Sequence, residues 1–188
     1  MTLGVVLAGG SSSRMKTDKA FVEVAGRSMI EWVATALSFA CDSVIVAGRS
    51  GHLAGYRCIP DTRSGLQGPL AGLATALEFD EQLVVVGVDQ PFVRADTIRR
   101  LAAESGTVVP FDAQRQVTCA TYAASLRVEA RREAEDGGSI QSLLDRSAHR
   151  LVDEPEWRSW GEDGRSWFSI DSPEDLEEAL ARWGTPGG

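Results

Sequence analysis

Two short apolar runs constrain this chain more than any other feature. Residues 3–8 read Leu-Gly-Val-Val-Leu-Ala, and residues 83–88 read Leu-Val-Val-Val-Gly-Val. Runs of this length, closed by turn residues, fit strands buried on both faces of a helix-covered parallel sheet. Both end abruptly in chemistry-bearing sequence. The first opens into Gly9, Gly10, Ser11, Ser12, Ser13, Arg14, Met15, Lys16, Thr17, Asp18 and Lys19, and the second into Asp89-Gln90-Pro91-Phe92. In open α/β sheets ligands bind beyond the carboxyl ends of the strands, where these segments fall.

The first loop has two readings. A Gly-Gly-Ser-Ser-Ser segment after a strand is often only a surface turn. It can also be an anion cradle. Adjacent glycines let the backbone approach a ligand closely, successive N–H groups form a concave anion site, and Arg14 and Lys19 add charges suited to a polyphosphate. The loop is neither the Walker A pattern nor the Gly-x-Gly-x-x-Gly dinucleotide fingerprint.

Strands and helices alternate along the next hundred residues. A short strand at residues 21–24 and a turn lead to Ser28, which with Glu31 forms a capping box for a helix at residues 29–39. Strands are expected at residues 43–47 and 57–59, the latter running into Pro60 and Asp61. Pro69 then starts a helix behind Gly68, with Leu70, Leu73, Ala74 and Leu77 on its buried face. The glycines before it are either plain loop residues or part of a helix N-terminus facing a phosphate. After the strand at 83–88, Asp89 either projects into a site or caps the next helix, which begins at Asp96.

The second half is less regular. A strand at 107–110, a β-excursion at 117–122, helices at 125–134 and from Ile140 (capped by Ser139), and a strand at 150–152 are expected. Residues 153–165 resist a reading; Trp157 and Trp160 either cover the domain edge or line a pocket for a flat heterocycle. A strand at 167–170 then meets a helix with Pro173 inside its first turn, where Asp171 or Ser172 is positioned to cap. The pattern is that of an α/β protein with a doubly wound, mostly parallel sheet and a small β-excursion in its second half. With 188 residues and no linker or repeat, residues 1–188 are expected to form one domain.

The formal charge of −8 argues against nucleic-acid binding, which calls for a basic face. Cations nonetheless gather near the first loop at Arg14, Lys16, Lys19 and Arg27. No apolar run is long enough to span a membrane, and no secretory signal is evident. Cys41, Cys58 and Cys119 are odd in number and widely spaced, which reads as free thiols in a reducing cytoplasm. With only His52 and His149, a histidine-based triad or zinc site has little material. An anion loop, a basic pair and a strand-end Asp are most simply satisfied by phosphate with Mg²⁺, which is commonly held by one or two carboxylates plus substrate phosphates.

The string Leu7-Ala8-Gly9-Gly10, then Ser12, Arg14-Met15 and Asp18-Lys19, resembles the signature of the nucleotidyltransferases related to the molybdenum cofactor guanylyltransferase. Gly-Pro-Leu-Ala-Gly at 68–72 with Asp61 ahead of it, Asp89-Gln90-Pro91-Phe92, and Asp171-Ser172-Pro173-Glu174-Asp175-Leu176 resemble three further motifs of that family, in the same order. Lys16 stands where the family has glycine, Val88 where it often has Cys, and its Asn near Gly48 is absent.

The resemblance implies a Rossmann-like nucleotidyltransferase fold of GT-A type. It implies transfer of GMP from GTP to a molybdopterin-type molybdenum cofactor, with Mg²⁺ and release of pyrophosphate. Leu7, Ala8, Gly9, Gly10, Lys19, Asp61, Gly68 and Asp89 would bind nucleotide, the backbone N–H groups of Ala8 to Gly10 holding phosphate. Lys19, Arg14 and Asp89 would be catalytic, and Asp89 and Asp171 would ligate the metal. Molybdoenzymes or their chaperones are the implied protein partners. The alternatives are a CTP- or sugar-phosphate-specific transferase, or a non-catalytic protein that binds nucleotide or pterin.

Overall fold

The run at residues 3–8 becomes strand β1 (Thr2–Leu7), whose residues from Leu3 onward are all buried. The computed structural model describes residues 1–9, 18–61, 68–79 and 82–187. Through the first half of the chain follow β2 (Glu23–Val24), β3 (Arg27–Ser28), α1 (Met29–Ser38), β4 (Ser43–Ala47), β5 (His52–Leu53), β6 (Tyr56–Ile59), α2 (Pro69–Ala76), β7 (Gln82–Gly87) and α3 (Ala95–Ala103). The second half adds β8 (Val108–Asp112), β9 (Gln114–Arg115), β10 (Cys119–Tyr122), α4 (Arg127–Glu135), α5 (Ile140–Asp145), β11 (Arg150–Val152), α6 (Glu154–Ser159) and α7 (Pro173–Trp183).

The main sheet runs β11-β8-β10-β7-β1-β4-β6-β5, with β9 paired to β8. β1 pairs in parallel with β4 on one side and β7 on the other, and β6 continues parallel to β4. The chain therefore winds outward from β1 through β4 and β6, then returns to add β7 on the opposite flank. That reversal places a topological switch point between β1 and β7, where such sheets bind ligands.

Side-chain alternation divides the core into two layers. Val5, Leu7, Leu83 and Val85 pack with Leu73 of α2, Leu77 just after it, Ala130 of α4 and Leu143 of α5. Val6, Val84 and Val86 pack on the other face with Val33 and Leu37 of α1 and Ile98 and Leu101 of α3. A third cluster joins Met29 and Phe92 to Ile170 and Ala179, which docks α7 beside the carboxyl end of β7. The β1 and β7 residues Val5, Val6, Val84, Val85 and Val86 are fully buried, each contributing roughly 1.5–3 kcal/mol relative to exposure.

Two expectations need correction, and one element is new. Residues 117–122 were expected to form a β-excursion, but β10 lies inside the main sheet, antiparallel between β7 and β8. Residues 167–170 do not form a strand; Arg165–Trp167 is a 3-10 turn and extended chain follows. The loop after β4 contains an unforeseen hairpin, β5 to β6, turned by Ala54 and Gly55 at φ of 52° and 83°. Trp157 proves to be a covering residue: it is 2% exposed, stacks edge-on against Trp167 at 5.2 Å and donates to the Phe111 carbonyl. Trp160 packs half-buried on the same core.

Candidate active site

The register of β1 and β7 aligns their carboxyl ends, with Leu7 opposite Gly87. The Val88 amide donates to the Leu7 carbonyl at 3.0 Å, which carries the alignment one residue further. Gly9 and Asp89 therefore emerge from neighbouring strands at one rim. β4 ends at the same rim, and there Gly48 lies directly against Gly9. A Cβ on Gly48 would stand 2.6 Å from both the N and the Cα of Gly9, and Gly48 has φ of +91°. Only glycine meets both conditions, so two backbones touch where a ligand would approach.

Lys19 starts a 3-10 turn (Lys19–Phe21) that Asp18 caps by accepting from the Ala20 amide at 3.1 Å. Its ammonium reaches Asp89 Oδ2 at 3.4 Å and also bonds Asp171 Oδ1. Three residues spread over the whole chain thus meet at one nitrogen. Burial of the ammonium opposes its charge, but the Asp171 and Asp89 carboxylates outweigh this and hold its pKa above the ordinary lysine value. Burial raises the Asp89 pKa, with the Lys19 charge opposing it.

Asp89 is held in place by its surroundings. Its carbonyl accepts from the Ile170 amide at 2.8 Å, which ties the segment bearing Asp171 to the end of β7. Gln90 is 1% exposed; its Oε1 accepts from the Gly87 amide at 3.1 Å and its Nε2 donates to the Trp167 carbonyl at 3.3 Å. Asp171 is not the cap of α7. Ser172 fills that role, accepting from the Asp175 amide at 3.2 Å, while Asp175 Oδ2 accepts from the Asp171 and Ser172 amides. The Asp171 carboxylate is thereby left to face Lys19.

Asp61 follows β6 on the far side of Gly9. Its Oδ1 is buried and without a hydrogen-bond partner among the described residues, and burial raises its pKa. A buried carboxylate oxygen left unpaired is costly and calls for a donor. Its Oδ2 lies 3.7 Å from where a Gly9 Cβ would be. Gly68 caps the N-terminus of α2 at φ of +96°, with Pro69 at the first helical position. Gly10 and Arg14 lie outside the described residues. The Ala8 amide donates to the Ala47 carbonyl at 3.0 Å. It is therefore not the free phosphate donor expected of it, because the sheet ladder extends one residue past β1.

A cleft of about 500 Å³ opens beyond Asp171, lined among others by Gln90, Arg115, Gln141, Trp167 and Trp183. The anchoring role of Gln90 and the ion pair of Arg49 with Asp18 add to the expected site. Asp18 lies inside the signature string, but its partner is distant in sequence and carried no signal. The donor set fits Mg²⁺, since two hard carboxylates converge on one cationic atom and phosphates usually complete such a site. Among the described residues no cluster of three or more His, Cys, Asp or Glu is placed to hold a metal.

Residues 4–151 match the family model of the MobA-like NTP transferase domain. A molybdenum cofactor guanylyltransferase from Rhizobium leguminosarum bv. trifolii is 32% identical across 96% of this chain and 91% of that protein. Another, from Xanthomonas euvesicatoria pv. vesicatoria, is 40% identical across 66% of each chain. Molybdopterin-guanine dinucleotide biosynthesis protein A from Archaeoglobus fulgidus superposes with a TM-score of 0.82 at 25% identity, covering 97% of this chain and 98% of that one.

Proposed function

The chain belongs to the MobA-like NTP transferase family, and on that premise we propose that it transfers GMP from GTP to a molybdopterin-type molybdenum cofactor. The observation that carries the reading is the Lys19 ammonium held between Asp89 and Asp171 at the switch point of the sheet. A terminal phosphate oxygen of the acceptor attacks the α-phosphorus of GTP, the bond from that phosphorus to the β-phosphate bridge breaks, and pyrophosphate leaves. No protein nucleophile is required, so positioning and charge stabilisation supply the rate.

Gly9 presents its backbone to the triphosphate, and Lys19 turns from its carboxylate partners to the transferring phosphoryl oxygens. Asp61, whose buried oxygen has no partner among the described residues, orients the nucleotide by accepting a hydrogen bond from it. Gly10, Arg14 and the N-terminus of α2 at Gly68 complete the nucleotide contacts. Asp89 and Asp171 would hold Mg²⁺, whose chemistry when bound would be to neutralise phosphate charge and polarise the phosphoryl group. The cleft beyond Asp171 receives the acceptor: its Gln90 and Gln141 amides and Trp183 ring suit a flat, polar heterocycle, with Arg115 and Arg182 standing among Asp112, Asp163, Asp171 and Asp175. GTP is assigned because the relatives bear the name guanylyltransferase. The reading places the enzyme in the cytoplasm, with molybdoenzymes or their chaperones receiving its product. No described helix is long and apolar enough to cross a membrane.

Purified protein incubated with molybdopterin, Mg²⁺ and each nucleoside triphosphate in turn tests this directly. Pyrophosphate release is expected with GTP and to disappear on chelation of the metal. Preference for CTP would reassign the nucleotide, and binding without pyrophosphate would make the chain a carrier rather than an enzyme.

A further inference from the structure

Arg49 follows Gly48 at the end of β4 and joins two segments that lie far from it in sequence. Its Nε donates to the Ala8 carbonyl at 3.0 Å. Its Nη1 donates to Asp18 Oδ2 at 2.6 Å, and Nη2 donates to Asp18 Oδ1. Such a two-point pairing fixes orientation as well as distance. Ala8 immediately precedes Gly9, and Asp18 immediately precedes Lys19. Each contact therefore acts one residue away from a group of the site. The same Asp18 carboxylate caps the 3-10 turn that carries Lys19, and the ring of Phe21 in that turn lies 5.9 Å from the guanidinium carbon.

We propose that Arg49 is a positioning residue for nucleotidyl transfer, locking Gly9 and Lys19 into one geometry through Ala8 and Asp18. The inference rests on the function proposed above and assigns that site a residue that need not touch substrate. Arg49 spends its nitrogens on protein oxygens, and its charge is matched by Asp18, so it is poorly suited to be the phosphate ligand itself. Nor does the sheet depend on it. β1 and β4 pair from Leu3 opposite Ser43 to Leu7 opposite Ala47 without its help. The pair is partly exposed, with side chains 24% and 39% accessible, and exposed ion pairs add little to stability. What the fork does supply is register between the β1 end and the turn bearing Lys19.

The test uses the full chain and four variants: Arg49→Ala, Arg49→Lys, Asp18→Asn and Asp18→Asn/Arg49→Ala. Arg49→Ala should lose about 10²-fold in kcat/KM for GTP, the scale of a small misplacement of catalytic groups, with a thermal midpoint close to wild type. Arg49→Lys keeps the charge but not the fork and should stay impaired. The double variant should be no worse than Arg49→Ala, because the fork that Asp18→Asn weakens is already absent there and the Asn amide oxygen can still accept from the Ala20 amide. Millimolar guanidinium ion should restore part of the lost rate to Arg49→Ala where the same concentration of sodium chloride does not.

Full activity in Arg49→Ala, additive losses in the double variant, or a loss that follows the melting temperature without rescue would each overturn the inference. Absence of pyrophosphate release by the wild type would instead refute the function. Calorimetric titration with GTP then reads Arg49 separately, and equal affinity in wild type and Arg49→Ala would overturn its role.

Discussion

Replacing Gly48 with alanine isolates the close backbone approach on which the site is built. Gly48 sits at φ of +91°, a conformation that strains an L side chain by about 1–3 kcal/mol. For a chain of this size each kcal/mol lowers the thermal midpoint by about 2–4 °C, so strain alone predicts a fall of about 2–12 °C. The added Cβ would also stand 2.6 Å from Gly9 N and Cα, where ordinary contact begins at 3.4 Å. Gly9 must therefore retreat by about 0.8 Å, and a displacement of that size next to the reacting phosphates costs about 10²-fold in rate.

Gly51→Ala is the control. Gly51 has φ of +84° and no atom within 4 Å of where its Cβ would stand, so it carries the strain without the collision. Scanning calorimetry should show both variants less stable, while pyrophosphate release should fall about 10²-fold only in Gly48→Ala. Wild-type turnover in Gly48→Ala, or an equal loss in Gly51→Ala, would refute the reasoning.

Lys19→Ala and Asp89→Ala should each lower kcat by about 10²–10³-fold, the usual effect of removing one preorganised charge-stabilising group; steady-state pyrophosphate release measures it, and near-normal turnover would remove these roles. Asp89→Asn should stabilise the ligand-free protein at neutral pH. Because burial raises the Asp89 pKa, its charged form is the less stable one in the fold; that penalty is absent below the ordinary carboxylate pKa and grows as pH rises through the raised folded value. Denaturant titrations should show the gain at neutral pH shrinking in acid, and a variant less stable than wild type at neutral pH contradicts the assignment. Ser172→Ala should cost about 1 kcal/mol through the lost cap of α7 while sparing turnover, and Asp171→Ala should do the reverse; stability and rate measured on both variants separate cap from site.

Much of the first half of the chain was legible because its signals are local. The apolar runs of β1 and β7, the capping box at Ser28 and Glu31, the residues of β4 and Pro69 at the start of α2 all fall where periodicity and cap chemistry place them. Gly9 and Asp89 could be brought to one rim because strand ends in a wound sheet share an edge. The position of β10 was not legible. Cys119 to Tyr122 are all buried, so they show no alternation, and which strands they join is decided by tertiary pairing. The meeting of Asp171 with Lys19 and the fork from Arg49 to Asp18 likewise depend on segments distant in sequence coming together. Trp157 looked ambiguous in acidic surroundings because nothing local announces the Trp167 ring and Phe111 carbonyl that bury it.

The account stands or falls on where the triphosphate lies. A crystal structure with a non-hydrolysable GTP analogue and Mg²⁺ should show the phosphates along Gly9 and Lys19, with the ion about 2.0–2.1 Å from an Asp89 carboxylate oxygen. A nucleotide bound elsewhere on the molecule, with that rim empty, would contradict it.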